Sequence, residues 1–267
     1  MSVVTRLLNR AIHWNNNSPA TVFAIGIARY GSKSSTSYNS VSNLYEIRRR
    51  AMMKRGKNRA RGPAAPPAPV IKPQPFEHYL VLDFEATCER NIRLRPQEII
   101  EFPVLKVNGK TFEVEAEFHR YVQPKINKQL TDFCIELTGI VQDMVDGQPH
   151  IEEVLKEFDQ WRSDHNLTFQ NSAFVTCGDW DLKTMLPSQC EYFDMECSEY
   201  FNQWINIKKV YSSVTGTFPK GMMDMLNMLR IQHEGRHHSG IDDCRNIANI
   251  LKKLAERGAI ADISTRR

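Results

Sequence analysis

A buried strand that ends in carboxylates is the feature that most limits how this chain can fold. Residues 79–82 (Tyr-Leu-Val-Leu) are apolar and predict a strand in the middle of a sheet. Asp83 and Glu85 follow directly, and on an extended chain two such side chains point to the same face. Carboxylates that lose hydration need compensation, so the pair predicts a cation site. Taken alone, the segment also fits an ordinary solvated strand end.

A second acidic segment follows another short apolar run. Residues 173–177 predict a strand that breaks at Gly178, after which a helix begins. Asp179 and Asp181 lie near that helix start, where acids are common as caps and as partners of the helix dipole. We interpret Asp179 as the cap and Asp181 as the chemical group.

The third segment combines a histidine with acids at a helix start. Apolar residues recur at helical spacing from Ile241 to Leu254, which places Asp242 and Asp243 in the first turn and His238 on the preceding loop. If the three segments meet, they form a set of four acids and one histidine: Asp83, Glu85, Asp181, Asp243 and His238.

This residue set matches the needs of phosphodiester hydrolysis by two metal ions. Two ions about 3.5–4 Å apart activate water and neutralise charge on the phosphoryl and leaving oxygens. Carboxylates favour Mg²⁺, with Mn²⁺ as a substitute, whereas a Cys/His zinc cage is not indicated. Histidine suits the general base because its side chain ordinarily titrates near neutrality. Glu85 is expected to help orient the water.

The order of predicted elements indicates an α/β fold. Residues 98–106 and 111–122 flank Asn108 and Gly109, which is a strong hairpin signal. Helical patterns follow at about residues 128–137 and 151–164, before the strand at 173–177. Three antiparallel strands and then βα units predict a mixed β-sheet flanked by helices, of the ribonuclease H-like type.

The motifs together resemble a known family. They are residues 83–89 (DFEATCE), 98–103 (EIIEFP), 177–181 (CGDWD), 204–209 (WINIKK) and 238–243 (HSGIDD). Over about residues 77–260 the chain resembles the DEDDh exonucleases. Within these it resembles the enhanced-RNAi exoribonucleases, and most of all the branch of the prion-protein-interacting homologue.

The resemblance implies roles for individual positions. The four acids correspond to the metal ligands and His238 to the general base. The backbone of Phe84, Glu85 and Ala86 corresponds to the stretch that holds the terminal nucleotide, with Ala86 and Thr87 close to its sugar. Trp180 and Phe84 could stack on the terminal base, although aromatic residues beside a sheet are more often core.

Two departures from the family pattern affect these expectations. Relatives usually have Gly-Arg-Pro-His in the catalytic loop, whereas this chain has His237 at the proline position, which predicts a less rigid loop. We interpret His233 and His237 as solvent-facing or supporting groups. Residues 1–76 do not resemble the nucleic-acid-binding SAP domain of the histone mRNA enzyme, so histone mRNA is not the expected substrate.

The predicted function is therefore a 3′→5′ exoribonuclease that releases nucleoside 5′-monophosphates from single-stranded or 3′-overhanging RNA ends. One alternative is a scaffold that keeps the fold and binds RNA or a protein. The other is an exonuclease that acts mainly on DNA 3′ ends, because discrimination by the 2′-OH does not show in a sequence.

Charge separates a basic tail from an acidic domain. Residues 1–76 hold 13 Lys and Arg against one acid, Glu46, and the remainder holds 22 against 30. We expect residues 1–45 to be a disordered targeting leader, because an amphipathic basic stretch that lacks acids is typical of mitochondrial transit peptides. The nucleus and the cytoplasm remain alternatives, since the run at 48–61 also fits a nuclear address or an RNA contact.

The rest of the chain is expected to hold one folded domain. A basic, Pro-rich linker at 46–76 precedes the exonuclease domain at 77–262. The six cysteines form no CxxC pair, which favours reduced thiols in an intracellular protein. No apolar run is long enough to span a bilayer, so no membrane partner is expected.

Overall fold

The computed structural model describes residues 71–267, which belong to one compact unit at 69–267. The predicted leader at 1–45 and most of the predicted linker lie outside the described residues. Ile71 and Phe76 pack against the core of this unit.

A mixed sheet is the centre of the unit. Its strands in the described part of the chain are β1 His78–Leu82, β2 Glu85–Ala86, β3 Ile99–Asn108, β4 Val114–Tyr121, β5 Ser172–Thr176, β6 Gln203–Asn206 and β7 Thr265–Arg266. Strand β3 pairs antiparallel with β4 on one side and with β1 and β2 on the other. Beyond β1 follow β5, β6 and β7, of which β5 and β6 are parallel to β1. The predicted mixed sheet is confirmed.

The predicted hairpin joins β3 to β4. Asn108 Oδ1 accepts hydrogen bonds from the backbone N–H groups of Lys110 (2.8 Å) and Thr111 (3.0 Å). A Cβ atom on Gly109 would lie 2.1 Å from the carbonyl oxygen of Phe76, so the close approach of these backbones requires glycine. The turn therefore fixes the register of the two longest strands.

Seven α-helices cover the sheet within residues 71–267. They are α1 Asp132–Thr138, α2 Gln142–Val145, α3 Ile151–Asp164, α4 Leu186–Tyr192, α5 Ile207–Thr215, α6 Met222–Leu229 and α7 Gly240–Glu256. Helix α3 has the predicted bounds. Helix α1 begins four residues later than predicted, because the Thr131 side chain caps it by accepting from Cys134 N at 3.0 Å.

Strand β1 contributes to two separate cores. Tyr79 and Val81 pack on one face with residues of α5, α6 and α7, whereas Leu80 and Leu82 pack on the other with residues of α3 and α4. Alternate side chains of a strand point to opposite faces, so the sheet is buried between two helical layers. Carboxylates at the end of β1 are therefore held at the edge of a rigid core.

Glu98, just before β3, ties a long loop to the sheet. Its side chain is fully buried and accepts hydrogen bonds from the backbone N–H groups of Lys125 (2.6 Å) and Asn127 (2.7 Å) and from the Asn127 side chain (2.9 Å). A buried carboxylate is stable where donors satisfy its oxygens in this way. The Glu98 backbone N–H also donates to Thr87 Oγ1 (3.0 Å), which fixes β2 beside β3.

All six cysteines are free thiols. No helix between residues 71 and 267 is long and apolar enough to cross a membrane.

Candidate active site

The acidic side chains of the site lie at the end of strand β1. Asp83 and Phe84 separate β1 from β2, and the Phe84 backbone N–H donates to Asp181 Oδ1 at 2.9 Å. This bond brings the segment after β5 against the end of β1. Glu85 then resumes the pairing with β3 opposite Glu101.

Asp181 begins a single π-helical turn, Asp181–Met185, that leads into α4. Such turns are rare and occur often at functional sites. The expected capping role of Asp179 is wrong. Its Oδ1 instead accepts hydrogen bonds from Trp204 Nε1 (3.0 Å) and Asn206 Nδ2 (2.9 Å). Asp179 therefore anchors the segment to β6, which leaves Asp181 directed to the site.

The histidine loop is tied to Asp243. Asp243 Oδ2 accepts from the backbone N–H of His238 (3.1 Å) and lies 3.3 Å from His237 Nδ1. The rings of His237 and His238 stack with centroids 3.9 Å apart. His238 has a φ of 67°, a left-handed conformation that non-glycine residues adopt at a cost, mostly where the surroundings enforce it.

Hydrogen bonds to α7 hold this loop in place. The Arg236 backbone N–H donates to Asp242 Oδ2 (2.9 Å), and Asn246 exchanges hydrogen bonds with the backbone of Glu234 (3.0 and 2.8 Å). Gly235 has a φ of 68°, and a Cβ atom there would lie 2.2 Å from Asp242 Cγ. The loop is thus built around glycine and the first turns of α7.

Glu101 supports the site and was not among the predicted site residues. Its side chain is 1% exposed and accepts from Gly240 N (2.9 Å), Ile241 N (3.1 Å) and His119 Nε2 (2.8 Å). A carboxylate at a helix N-terminus satisfies backbone donors and interacts favourably with the helix dipole. Glu101 therefore sets where α7 begins, and with it the position of Asp243. The available signal was a charged residue inside the apolar run at residues 99–105 of β3.

The carboxylates lie close enough to shift each other's pKa values. Burial, and then the charges of Asp181, Asp243 and Glu101, raise the pKa of Asp83 well above its usual range. Burial and neighbouring acids do the same for Glu85. Burial raises the pKa of Asp181 to about 6, against the opposing effect of the Phe84 hydrogen bond. Such repulsion is what bound cations relieve.

The residues fit a divalent metal centre. Glu85, His238 and Asp243 each offer a ligand atom, and these atoms lie within 4.8 Å of one another. Asp83 and Asp181 belong to the same electrostatic cluster. Buried carboxylate oxygens are the ligands that hard divalent cations prefer.

We predict that Asp181 makes the metal-free protein less stable as the pH rises. The unfolded carboxyl has a pKa near 3.9 and the folded one near 6, so between these values the folded state binds more protons. Stability is fully retained below about pH 4 and falls through about pH 6, by about 3 kcal/mol. Thermal unfolding in EDTA should show Asp181→Asn gaining stability over wild type at pH 7 but not at pH 4. An equal difference at both pH values would contradict the assignment, and saturating Mg²⁺ should reduce the gain.

The predicted substrate-contacting side chains differ in accessibility. The Phe84 ring is 3% exposed and packs edge-on against Phe102 at 4.7 Å, so of its two interpretations the structure favours core packing. Ala86 and Thr87 are also buried. Their contact with the sugar of the terminal nucleotide stays a prediction. Trp180 is half-buried against the core and keeps an exposed portion.

A mixed sheet that collects acids from three segments at one strand end, with a histidine beside them, defines a ribonuclease H-like fold with a candidate divalent metal centre. The RNase T model, described as an exonuclease family, matches residues 80–251. The chain belongs to this exonuclease family.

Two curated relatives illustrate the similarity. The chain is 58% identical over 191 residues to human ERI1 exoribonuclease 3, covering 70% of this chain and 56% of that protein. It is 36% identical over 207 residues to the 3'-5' exonuclease Snipper of Drosophila melanogaster, covering 72% and 74%. The chain thus spans little more than half the length of the first relative. These names do not address the prion-protein-interacting branch, which stays a prediction.

Two solved structures share the fold. The nuclease domain of 3'hExo, a DEDDh family member bound to rAMP, has a TM-score of 0.69 and 37% identity, covering 72% of this chain and 98% of that one. A 3'-exonuclease structure described as recognising the 3' end of the histone mRNA stem-loop has a TM-score of 0.70 and 32% identity, covering 85% and 75%. The predicted ribonuclease H-like fold is confirmed.

Proposed function

We propose that this chain is a 3′→5′ exoribonuclease that removes nucleoside 5′-monophosphates from single-stranded or 3′-overhanging RNA with two Mg²⁺ ions. The observation that carries the proposal is the convergence of Glu85, His238 and Asp243, whose ligand atoms lie within 4.8 Å of one another. Asp83 and Asp181 lie close enough to this group for the charges to raise the pKa of Glu85. The relative named an exoribonuclease, the neighbouring structure bound to rAMP and the one that recognises the histone mRNA stem-loop support RNA as the substrate.

In this proposal Asp83, Glu85, Asp181 and Asp243 would hold the ions. Bound Mg²⁺ supplies activation of water and neutralisation of the charge that develops on the phosphoryl and leaving oxygens. Mn²⁺ accepts the same oxygen ligands and should substitute. Helix α7 and the turn after β5 are fixed to the sheet by Glu101 and Asp179, so the ligands are positioned before any ion binds.

His238 acts as the general base. A ligand atom of its ring lies within 4.8 Å of those of Glu85 and Asp243, close to where a water would be held. The imidazole accepts a proton from this water as the water oxygen bonds to phosphorus and the P–O3′ bond of the last phosphodiester breaks. The leaving 3′ oxygen stays on the shortened strand and takes a proton from solvent, to which the imidazole returns its own. Glu85 orients the water by accepting its other hydrogen. The left-handed backbone of His238 and its N–H bond to Asp243 keep the ring at the cluster.

The function is tested with 5′-labelled single-stranded RNA and Mg²⁺, with and without EDTA. Stepwise shortening from the 3′ end, stopped by EDTA and restored by Mg²⁺, supports the proposal. RNA binding without shortening would instead establish a scaffold. A DNA strand of the same sequence, assayed in parallel, distinguishes the DNA alternative by faster shortening of the DNA.

The cost of an ion-free cluster argues against a scaffold. Burying carboxylates that repel one another lowers stability unless cations offset the repulsion. A protein that only bound RNA would gain stability by replacing these acids. The intact set is therefore better explained by catalysis.

Trp180 is proposed to stack on a base near the RNA 3′ end. It follows Asp179 and precedes the proposed metal ligand Asp181, and the residue is only partly buried. Stacking of a base on an aromatic ring contributes about 1–3 kcal/mol, so Trp180→Ala should lower kcat/KM by about 10- to 100-fold. Trp180→Phe should keep most of the activity. A Trp180→Ala variant with unchanged kcat/KM and unchanged thermal stability would contradict the role.

We also propose that residues 1–45 direct the chain to mitochondria and that residues 46–76 link this leader to the exonuclease domain at 77–262. The basic, acid-free composition of the leader supports import. Residues 1–45 fused to a fluorescent protein should label mitochondria. A nuclear or diffuse signal would contradict the proposal.

A further inference from the structure

A second group of possible metal ligands lies beside the carboxylate cluster. His233, His237 and Asp243 each offer one ligand atom, and these three atoms lie within 4.8 Å of one another. The two histidine rings are edge to face with centroids 6.1 Å apart. The group differs in chemistry from the carboxylate cluster, since two of its three ligands are nitrogen.

Both histidines have an atom that lacks a partner. Nε2 of His233 and Nε2 of His237 are buried and make no hydrogen bond within the described part of the chain. Buried polar nitrogens are normally paired, so the unpaired Nε2 of His233 points to a missing ligand. His237 faces Asp243 with Nδ1, so its unpaired Nε2 is not evidence for the same ion. The bond between His237 and Asp243 is also poor, because 3.3 Å is longer than the usual 2.7–2.9 Å of a charge-assisted hydrogen bond.

The separations suit a tetrahedral ion. Zinc lies about 2.0–2.2 Å from histidine nitrogen and carboxylate oxygen, so two ligands on one zinc are roughly 3.3–3.5 Å apart. His237 Nδ1 and Asp243 Oδ2 already have this separation. The remaining ligand must approach by a little over 1 Å at most, since no ligand atom is more than 4.8 Å from the others.

The backbone that carries the histidines is held against α7. The N–H and carbonyl groups of Glu234 bond to Asn246, and the N–H of Arg236 bonds to Asp242. Asp243 lies on the same helix, so all three ligands belong to one hydrogen-bonded unit. Positioned ligands reduce the entropy cost of binding an ion.

We propose that His233, His237 and Asp243 form a Zn²⁺ site, with water as the fourth ligand, and that zinc bound there inhibits the exonuclease by withdrawing Asp243 from the catalytic ions. Imidazole nitrogen favours zinc over Mg²⁺, which prefers oxygen alone. The inhibition rests on the proposed function, whereas zinc binding does not. His237 supplies the second imidazole ligand beside His233.

Zinc binding is measured by titration calorimetry of the full chain with Zn²⁺ in excess Mg²⁺. Wild type should bind one ion, and His233→Gln should bind it at least 10-fold more weakly, since loss of even an outer partner costs about 10- to 100-fold. His165→Gln, at the end of α3 and outside the cluster, is the matched control and should bind as wild type does. Equal affinities in wild type and His233→Gln would overturn the site.

Activity gives the second readout. Without zinc, His233→Gln and His165→Gln should shorten RNA at the wild-type rate. With zinc added to the Mg²⁺ assay, half-inhibition of His233→Gln should require at least 10-fold more Zn²⁺ than wild type. Equal zinc sensitivity would overturn the inhibitory role, while absent RNA shortening with intact zinc binding would count only against the proposed exonuclease.

A zinc-edge anomalous map keeps the site testable if His233→Gln does not fold. Wild-type crystals soaked in Zn²⁺ with excess Mg²⁺ should show a peak contacting all three side chains. A peak that contacts carboxylates alone would contradict the site.

Discussion

Replacing Asp83 by asparagine is expected to lower the rate of nucleotide release by about 1,000-fold or more. The side chain keeps its shape but loses the charge that holds the catalytic ions, and metal ions contribute several kcal/mol to such reactions. Asp83 follows the buried strand β1 directly and is affected by the charges of Asp181, Asp243 and Glu101. The single-turnover rate on 3′-end substrates in saturating Mg²⁺ is the measurement.

The stability of the same variant separates a chemical role from a structural one. In EDTA, Asp83→Asn should be at least as stable as wild type, because the substitution removes repulsion from a buried cluster. Asp143→Asn, at an exposed position of α2, should match wild type in both rate and stability. A slow Asp83→Asn variant that also unfolds at a lower temperature would indicate damage to the fold instead.

Replacing His238 by alanine is expected to slow nucleotide release by about 100- to 10,000-fold, the usual contribution of a general base. Binding of Mn²⁺ should change little, because the carboxylates remain. His165→Ala, on a histidine of similar exposure at the end of α3, is the control and should keep the wild-type rate. Titration calorimetry with Mn²⁺ and the pH profile of the rate complete the test.

His238 can also be examined as a metal ligand, because its ring lies in reach of Glu85 and Asp243. In that case His238→Ala would weaken Mn²⁺ binding in parallel with the rate, and high Mn²⁺ would restore activity. The base role predicts instead that high Mn²⁺ has no such effect. Loss of the dependence on a group titrating near neutrality would further support the base.

The elements that were predicted correctly are those whose sequence signal lies within a few consecutive residues. The apolar run of β1, the Asn108-Gly109 turn and the helical spacing of α3 are each readable within a few residues. These elements establish the mixed sheet and therefore the fold. Asp83 and Glu85 stand out for the same reason, since carboxylates directly after a buried strand have no packing role.

What the sequence left out depends on contacts between distant residues. Glu101 binds the start of α7 from 139 residues away, and Asp179 bonds to Trp204 and Asn206 instead of capping its own helix. The Phe84 ring turned out to be core because Phe102, on the neighbouring strand, packs against it. Contacts between residues so far apart leave no periodic pattern in the sequence.

The two-residue strand β7 shows the same limit. It pairs with β6 through Thr265 and Arg266, and a segment this short has no alternation to detect. Thr265 also donates to Asp179 at 3.2 Å, so the end of the sheet helps fix the turn that carries Asp181. Residues outside the sequence motifs therefore also help to hold the active-site segments in place.

Mn²⁺ anomalous diffraction from crystals soaked with a nucleoside 5′-monophosphate tests the central claim most directly. The account predicts two peaks about 3.5–4 Å apart. Their protein ligands should come from Asp83, Glu85, Asp181 and Asp243, with the phosphate between the peaks and His238 facing it. Manganese bound away from these carboxylates, or no manganese at all, would contradict the account.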